Sequence, residues 1–417
     1  MASREKTLSA AEAAEFLNVK LATLYAYTSR GLVRSLPGAR GPARRYVRAD
    51  LERLRARREA RAGHGALAAG ALRFGEPVMD SSITAIDPER GPIYRGHSAL
   101  DLAEADTPFE SVAELLWTGT LDSPPSALAP EALGVPVSIL RDLLPDGVAP
   151  LTLDAVLVSL LASQDGGRFA TRVEAVLPRA RALIRRLAAS LASGLDETRI
   201  AAAMAAPATA SALAIALRAG CGEQGIRALD RSLVLVADHE LNASAFAARV
   251  AASTGADIYS CVMAALSTLS GPRHGGATDR VEALVYEVAA PEQAERVVHE
   301  RMRRGESIEG YGHPLYRGGD PRGTALLELA SEIAPRSAGV RTCVAITETV
   351  AEARGLRPNL DLGLVAISAA LGLARGCATG IFAVGRCAGW VAHACEQYEA
   401  GYLVRPRARY LGVSGPD

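Results

Sequence analysis

Three of the seven histidines sit where the chain can bring an imidazole against a bound molecule: Asp238-His239-Glu240, Pro272-Arg273-His274-Gly275-Gly276 and Tyr311-Gly312-His313-Pro314. Glycine beside a histidine lets the backbone approach a ligand closely and frees the ring to face a cleft. The chemistry open to such rings is proton transfer or metal ligation. No two histidines lie at the short spacings typical of zinc sites, so no metal is expected. Taken singly, each is more often a satisfied structural residue beside a turn. Three arginines narrow the choice. Arg322 follows Asp320-Pro321, Arg386 stands in Ala383-Val384-Gly385-Arg386, and Arg405 opens Arg405-Pro406-Arg407. Guanidinium groups are costly to bury unpaired and suit fork-like binding of carboxylates, so a di- or tricarboxylate would supply the missing charge. Intramolecular salt bridges are the alternative for any one of them.

The elements that must position these groups are mostly helices. Of 417 residues, 49% are apolar and only 5% aromatic, and Ala, Leu and Val dominate. That balance affords a sizeable core and favours a mainly α fold. The six cysteines form no CxxC pair and read as small core residues rather than a disulfide framework. The start, Met-Ala-Ser-Arg-Glu-Lys, lacks the apolar stretch of a signal peptide. The uncharged run Ile200 to Leu217 approaches the length of a membrane span, but Pro207 breaks it and it reads as buried helix. A cytoplasmic protein with no membrane partner is expected.

Charge divides the chain. Residues 1–65 hold fourteen Lys and Arg against six Asp and Glu, although the whole chain is neutral. Within this basic head, Ser9 and Glu12 form a capping-box pattern ahead of a helix from Ala10 to Leu17, and a second helix runs from Leu21 to Ser29. Leu32-Val33-Arg34 and Arg44-Arg45-Tyr46-Val47 flank a Pro/Gly-rich tip, and a basic helix from Asp50 to about Arg61 closes the unit. The segments Ala14 to Val19, Thr23 to Tyr27 and Arg44-Arg45-Tyr46 resemble the winged helix-turn-helix of the MerR and excisionase families. That resemblance implies duplex DNA as a partner. Lys20, Thr23, Tyr25, Tyr27 and Arg30 would face a groove, and Arg34, Arg40, Arg44 and Arg45 would meet phosphates. Docking on the body is the alternative use of such a module.

Residues 1–62 are thus one domain and 63–74 a linker, leaving 75–417 as the larger region. Strand-like pieces at 82–86 and 92–95 flank the turn Asp87 to Gly91. The clearest helical patterns after them are Leu151–Ala162, Val173–Leu191, Ile226–Ala237, Ser244–Ser253, Ile258–Leu269 and Leu362–Ala374.

Across this region the motifs Asp238-His239-Glu240-Leu241-Asn242-Ala243-Ser244, Gly271-Pro272-Arg273-His274-Gly275-Gly276-Ala277, Gly310-Tyr311-Gly312-His313, Asp320-Pro321-Arg322, Pro358-Asn359-Leu360-Asp361 and Gly385-Arg386 to His393 follow one another, with Arg405 to Gly412 as the tail. In that order they resemble the citrate synthase family. The resemblance implies a two-domain helical fold, with a small domain at roughly 225–335 inserted in the large one, in a homodimer. It also implies condensation of acetyl-CoA with oxaloacetate, then hydrolysis of citryl-CoA. In that scheme Asp361 is the base, His274 holds the thioester oxygen, and His313 protonates the ketone. His239, Arg322 and Arg386 clamp oxaloacetate, Arg405 reaches in from the partner subunit, and Arg317 meets a CoA phosphate. The CoA thioester is a co-substrate and no cofactor is resident. His64, His97, His299 and His393 fall to surface or packing roles.

The chain departs from the family pattern at Thr278-Asp279, where Asn-Glu is usual, and at Leu362-Gly363-Leu364, where aromatic or hydroxyl residues are common. Both bear on the choice of acyl group. Propionyl-CoA, giving 2-methylcitrate, therefore stands beside acetyl-CoA. A DNA-binding regulator that senses these metabolites without turnover, and cleavage of citryl-CoA, are the readings of other classes. On its local sequence alone, Asp361 would also serve as an ordinary helix N-cap.

Overall fold

The computed structural model describes residues 7–17, 19–29, 32–37, 44–48, 50–52, 54, 79–121, 132–316 and 318–406. Arg30, Arg40, Arg317 and most of the expected basic helix lie outside them. The chain forms two units, residues 1–80 with 405–417, and residues 81–404.

In the first unit the Ser9 hydroxyl accepts from the Glu12 amide while the Glu12 carboxylate accepts from the Ser9 amide, closing the expected capping box on α1 (Ala10–Phe16). The second helix, α2, spans Leu21–Ser29 as expected. Strands β1 (Thr7–Leu8), β2 (Ser35–Pro37) and β3 (Arg44–Val47) form an antiparallel sheet in the order β1-β3-β2. Two residues are too few to leave an alternating pattern, so β1 was not legible in advance. Ala13, Leu17, Leu24, Val33 and Tyr46 fill a small separate core, with Tyr27 packed against it.

The second unit opens with the meander β4 (Thr84–Asp87), β5 (Gly91–Tyr94) and β6 (His97–Ser98). The Asp87 carboxylate accepts from the amides of Glu89 and Arg90, which shapes the β4–β5 turn. Helices follow. Those that position the site are α3 (Gly222–Val236), α4 (Ala243–Ser253), α5 (Gly276–Val288), α6 (Pro321–Ile333), α7 (Leu360–Ala370) and α8 (Cys377–Ala400). The uncharged run at 200–217, read as buried helix broken by Pro207, falls in two helices, Glu197–Met204 and Thr209–Leu217, because Pro207 cannot continue the first. No helix among the described residues is long and apolar enough to cross a membrane.

Helix α8 is the axis of the body. Its side chains are buried on every face from Ala378 to Cys395, as a helix apolar all round must be. Small residues let its neighbours come close. A Cβ added at Gly385 would stand 2.2 Å from Val236 Cγ2, and one at Gly389 would stand 2.3 Å from Asp238 Oδ1. A smaller second cluster gathers Leu284, Val288, Val297, Val298, Ile346 and Val350.

Cys261, Cys343, Cys387 and Cys395 are buried and Cys377 is half-buried, as core residues should be, whereas Cys221 is exposed.

Candidate active site

The close crossing of α3 and α8 delivers the first two groups. Arg386 is buried, and its Nε donates to the Val236 carbonyl at 2.6 Å, at the C-terminal end of α3. The chain then turns sharply through Glu240, whose left-handed φ of 54° is strained for a residue with a Cβ. This turn places His239, which is buried. Beneath it lies a fully buried pair, Asp238 and His393, 3.4 Å apart. His393 therefore has a packing role against Asp238. Asp238 is held below the ordinary carboxyl value by His393, Arg386 and Thr84, which together outweigh its burial.

The second delivery comes from the loop 310–320. Gly310 and Gly312 have φ of 90° and 74°, conformations that favour glycine. They let the loop pair with the segment before α7: the Gly312 amide donates to the Arg357 carbonyl and the Asn359 amide to the Gly310 carbonyl. His313 is thereby brought to the base of α7. Its Nδ1 accepts from the Leu315 amide at 3.2 Å, so the neutral ring carries its proton on Nε2. Its ring centroid lies 5.2 Å from that of His239. Tyr316, three residues on, joins the group. Its hydroxyl is 2.6 Å from His239 Nε2, and its ring is 4.8 Å from the His313 ring.

The third delivery is the crossing of α6 and α7. A Cβ at Gly323 would lie 2.2 Å from the Asn359 carbonyl oxygen, and one at Gly363 would lie 3.1 Å from the Gly323 carbonyl oxygen, so only bare backbone fits at this contact. Asp320 caps α6 and accepts both Arg322 Nε, at 3.0 Å, and the Leu360 amide of α7, at 3.2 Å. Arg322 is buried and bidentate on Asp320, yet its Nη1 has no hydrogen-bond partner. The salt-bridge alternative thus holds for part of this guanidinium and leaves one buried donor open. Among the described residues Arg386 has no carboxylate within ion-pair distance, and burial lowers its pKa to about 10.

Asp361 stands in the first turn of α7 without capping it. Asn359 is the cap, its side-chain oxygen accepting from the amides of Asp361 and Leu362. The Asp361 carboxylate is free for other work. Its Oδ1 accepts from the Thr278 hydroxyl at 2.5 Å, and burial raises its pKa to about 6. Fields from Asp320, Arg322 and Arg386 also act on it.

His274 is reached through the turn before α5, where a Cβ at Gly275 would meet the Leu269 carbonyl oxygen at 2.8 Å. Its Nε2 lies 2.8 Å from Ser244 Oγ, and its ring stands edge-on to Phe382, whose own face carries Arg386 at 4.7 Å. Burial lowers its pKa to about 4, so the ring is neutral at pH 7. Ser244 Oγ also receives Trp390 Nε1–H and donates its proton to Asn242 Oδ1 at 2.7 Å.

The body therefore gathers His239, His274, His313, Arg322, Arg386 and Asp361 with Tyr316, Ser244, Thr278 and Asp320, four residues to which the sequence reading gave no role. An aromatic hydroxyl three residues beyond a Gly-flanked histidine was the available signal for Tyr316. Thr278 was visible as a departure from the family pattern. Arg405 is exposed and belongs to the first unit. Arg317 lies outside the described residues. Among the described residues no group of acidic, Cys or His side chains could hold a metal.

In the head, Lys20 and Tyr25 are exposed and Thr23 is half-buried. Arg34 is held by Asp50, with Nε to Oδ2 at 2.9 Å, rather than standing open for a phosphate. Arg44 donates to Ser35 Oγ, and Arg45 to Thr7, so both guanidinium groups brace the sheet.

The family model described as "Citrate synthase, C-terminal domain" matches residues 72–407. A citrate synthase of Haloferax volcanii is 34% identical over 365 residues, covering 82% of this chain and 95% of that protein. The 2-methylcitrate synthase 2 of Corynebacterium glutamicum is 30% identical over 360 residues, covering 80% and 92%. Citrate synthase 2 of Bacillus subtilis is 40% identical, but over only 46% of this chain and 52% of its own length. Among solved structures, the ternary complex of the Thermoplasma acidophilum citrate synthase with carboxymethyl coenzyme A and oxaloacetate superposes with a TM-score of 0.72 at 25% identity, covering 82% of this chain and 95% of that one. The Thermotoga maritima citrate synthase gives 0.70 at 27% identity, covering 82% and 96%.

Proposed function

The chain belongs to the citrate synthase family and is a citrate synthase-type transferase, and from that premise we propose that it condenses acetyl-CoA with oxaloacetate, with propionyl-CoA as the alternative acyl donor. The observation that carries this reading is the open Nη1 of buried Arg322 together with buried Arg386, which has no ion pair among the described residues. One open guanidinium donor and a second guanidinium without a carboxylate partner suit fork-like binding of carboxylates, and oxaloacetate has two.

The chemistry follows from the protonation states. Ionised Asp361 Oδ2 removes a proton from the methyl carbon of the thioester. The neutral His274 ring, held at Nε2 by Ser244 Oγ, hydrogen-bonds the thioester oxygen as the enol forms. The resulting enol carbon attacks the ketone of oxaloacetate, whose oxygen takes the Nε2 proton of His313. Water then cleaves the C–S bond of citryl-CoA, releasing citrate and the CoA thiol. His239 and the two arginines hold the ketodiacid. In the homodimer we propose, Arg405 serves the partner's site, and Arg317 contacts the CoA phosphates.

Thiol release with oxaloacetate and either acyl-CoA tests this directly. Turnover with at least one thioester, abolished by Asp361→Asn, is the expected result. A chain that binds oxaloacetate but releases no thiol from either would be a sensor instead. The ratio of kcat/KM for the two donors settles acyl choice, since one methylene is worth about 1–3 kcal/mol of discrimination.

For the head we propose a winged helix-turn-helix that binds duplex DNA. Two helices joined by a tight turn and backed by a three-stranded sheet favour it, with Lys20 and Tyr25 exposed along α2 and its approach.

A further inference from the structure

We propose that Thr278 is the positioning residue for the Asp361 carboxylate, holding Oδ1 so that Oδ2 is presented to the acidic carbon of the acyl thioester. This rests on the condensation reading above and names a residue for which nothing in that scheme accounts. Thr278 is fully buried in the first turn of α5, and its hydroxyl donates to Asp361 Oδ1 at 2.5 Å. A β-branched side chain has few χ1 states, so the donor is held in place. The start of α5 is itself pinned, because a Cβ at Gly276 would stand 3.0 Å from the Gly271 carbonyl oxygen. Asp361 is fixed from the other side, its amide donating to the Asn359 cap. The Asn359 cap thus sets the Asp361 backbone, and the Thr278 hydroxyl sets the orientation of the carboxylate it carries.

The neighbouring residue acts in parallel. Asp279 accepts from the Thr379 hydroxyl of α8 at 2.6 Å. The Thr-Asp pair, which departs from the usual Asn-Glu, thus ties the start of α5 to α7 through one side chain and to α8 through the other. A hydroxyl donated to the ionised carboxylate favours that form against the burial that disfavours it, and the charged groups acting on Asp361 are Asp320, Arg322 and Arg386.

The test compares Thr278→Val, which keeps the shape and removes the donor, with Thr278→Ser, which keeps the donor. Steady-state thiol release by the full chain is followed from about pH 5 to 9. The valine variant should lose about tenfold in kcat with oxaloacetate KM within about twofold of the unaltered chain, and the acid limb of its kcat profile should move to higher pH. The serine variant should recover both. Valine with unaltered kcat and acid limb, or serine no better than valine, overturns the proposal. Thermal unfolding checks that the valine variant is folded, and Thr278→Ala repeats the comparison if it is not. An unaltered chain that turns over neither thioester would remove the condensation reading itself, before any variant is made.

Discussion

A carboxylate that must act as a base near neutral pH is poorly placed in bulk water, where its pKa is too low to take a proton from carbon. Burial moves Asp361 from the ordinary 3.8 to about 6. Two consequences have opposite signs. Turnover needs the ionised form, so kcat should fall about tenfold per pH unit below about 6. Stability runs the other way. The unfolded chain ionises this carboxyl near 3.8 and the folded chain only near 6, so its cost to the fold is absent below the first value and complete above the second. Asp361→Asn should therefore be inactive yet more stable than the unaltered chain at pH 8 by about 1–3 kcal/mol, with the gain vanishing by about pH 3. Urea unfolding at both pH values measures it. Equal stability of the two chains at pH 8 would mean that Asp361 is solvated, and the account of its basicity would fall with it. His274 shows the complementary case: burial lowers its pKa to about 4, so the ring is neutral at the pH values where Asp361 is ionised.

At the scale of elements, site precision comes from backbones packed closer than side chains permit. Gly323 carries the α6–α7 crossing that sets Arg322 beside Asp361, and a methyl group there would overlap the Asn359 carbonyl at 2.2 Å. Gly323→Ala must push the helices apart, and we expect a loss of about 1–3 kcal/mol in denaturant unfolding together with a fall in kcat/KM for oxaloacetate. An alanine variant with unaltered kinetics would show that the crossing does not position the site. The sequence displayed much of this plan and concealed the rest. Helical periodicity marked Ile258–Leu269 to the residue, and the Asn359 cap moved the start of α7 to Leu360, two residues before the apolar pattern suggests. Helix α8 gave no amphipathic signal because it is buried all round, so the axis of the body was the least legible element. The polar side chains were named as isolated motifs. Their partners were not, because Thr278 and Asp361 meet across 83 positions and Ser244 and Trp390 across 146, distances no local pattern spans.

At the scale of the whole molecule, each unit has its own core. The head buries Ala13, Leu17, Leu24 and Tyr46 in one cluster, and the body buries α8 and its neighbours in another. Small separate cores unfold as separate cooperative units, and a ligand stabilises only the unit that binds it. Calorimetry of the full chain should therefore resolve two transitions. Oxaloacetate at about 100 times its Kd should stabilise the larger, body transition by about 2.7 kcal/mol and leave the smaller one in place. Duplex DNA at low salt should raise only the smaller transition, and added salt should reverse that shift because phosphate contacts release counterions. The head draws its positive charge from Lys and Arg over residues 1–65, but Arg34, Arg44 and Arg45 are engaged by Asp50, Ser35 and Thr7. Lys20 and Tyr25 are exposed on α2 and its approach, and Lys20→Ala with Tyr25→Ala should reduce the DNA shift while thiol release stays unaltered. A smaller transition indifferent to DNA at low salt would remove the DNA reading, and one that moves with oxaloacetate would show the two cores to be coupled.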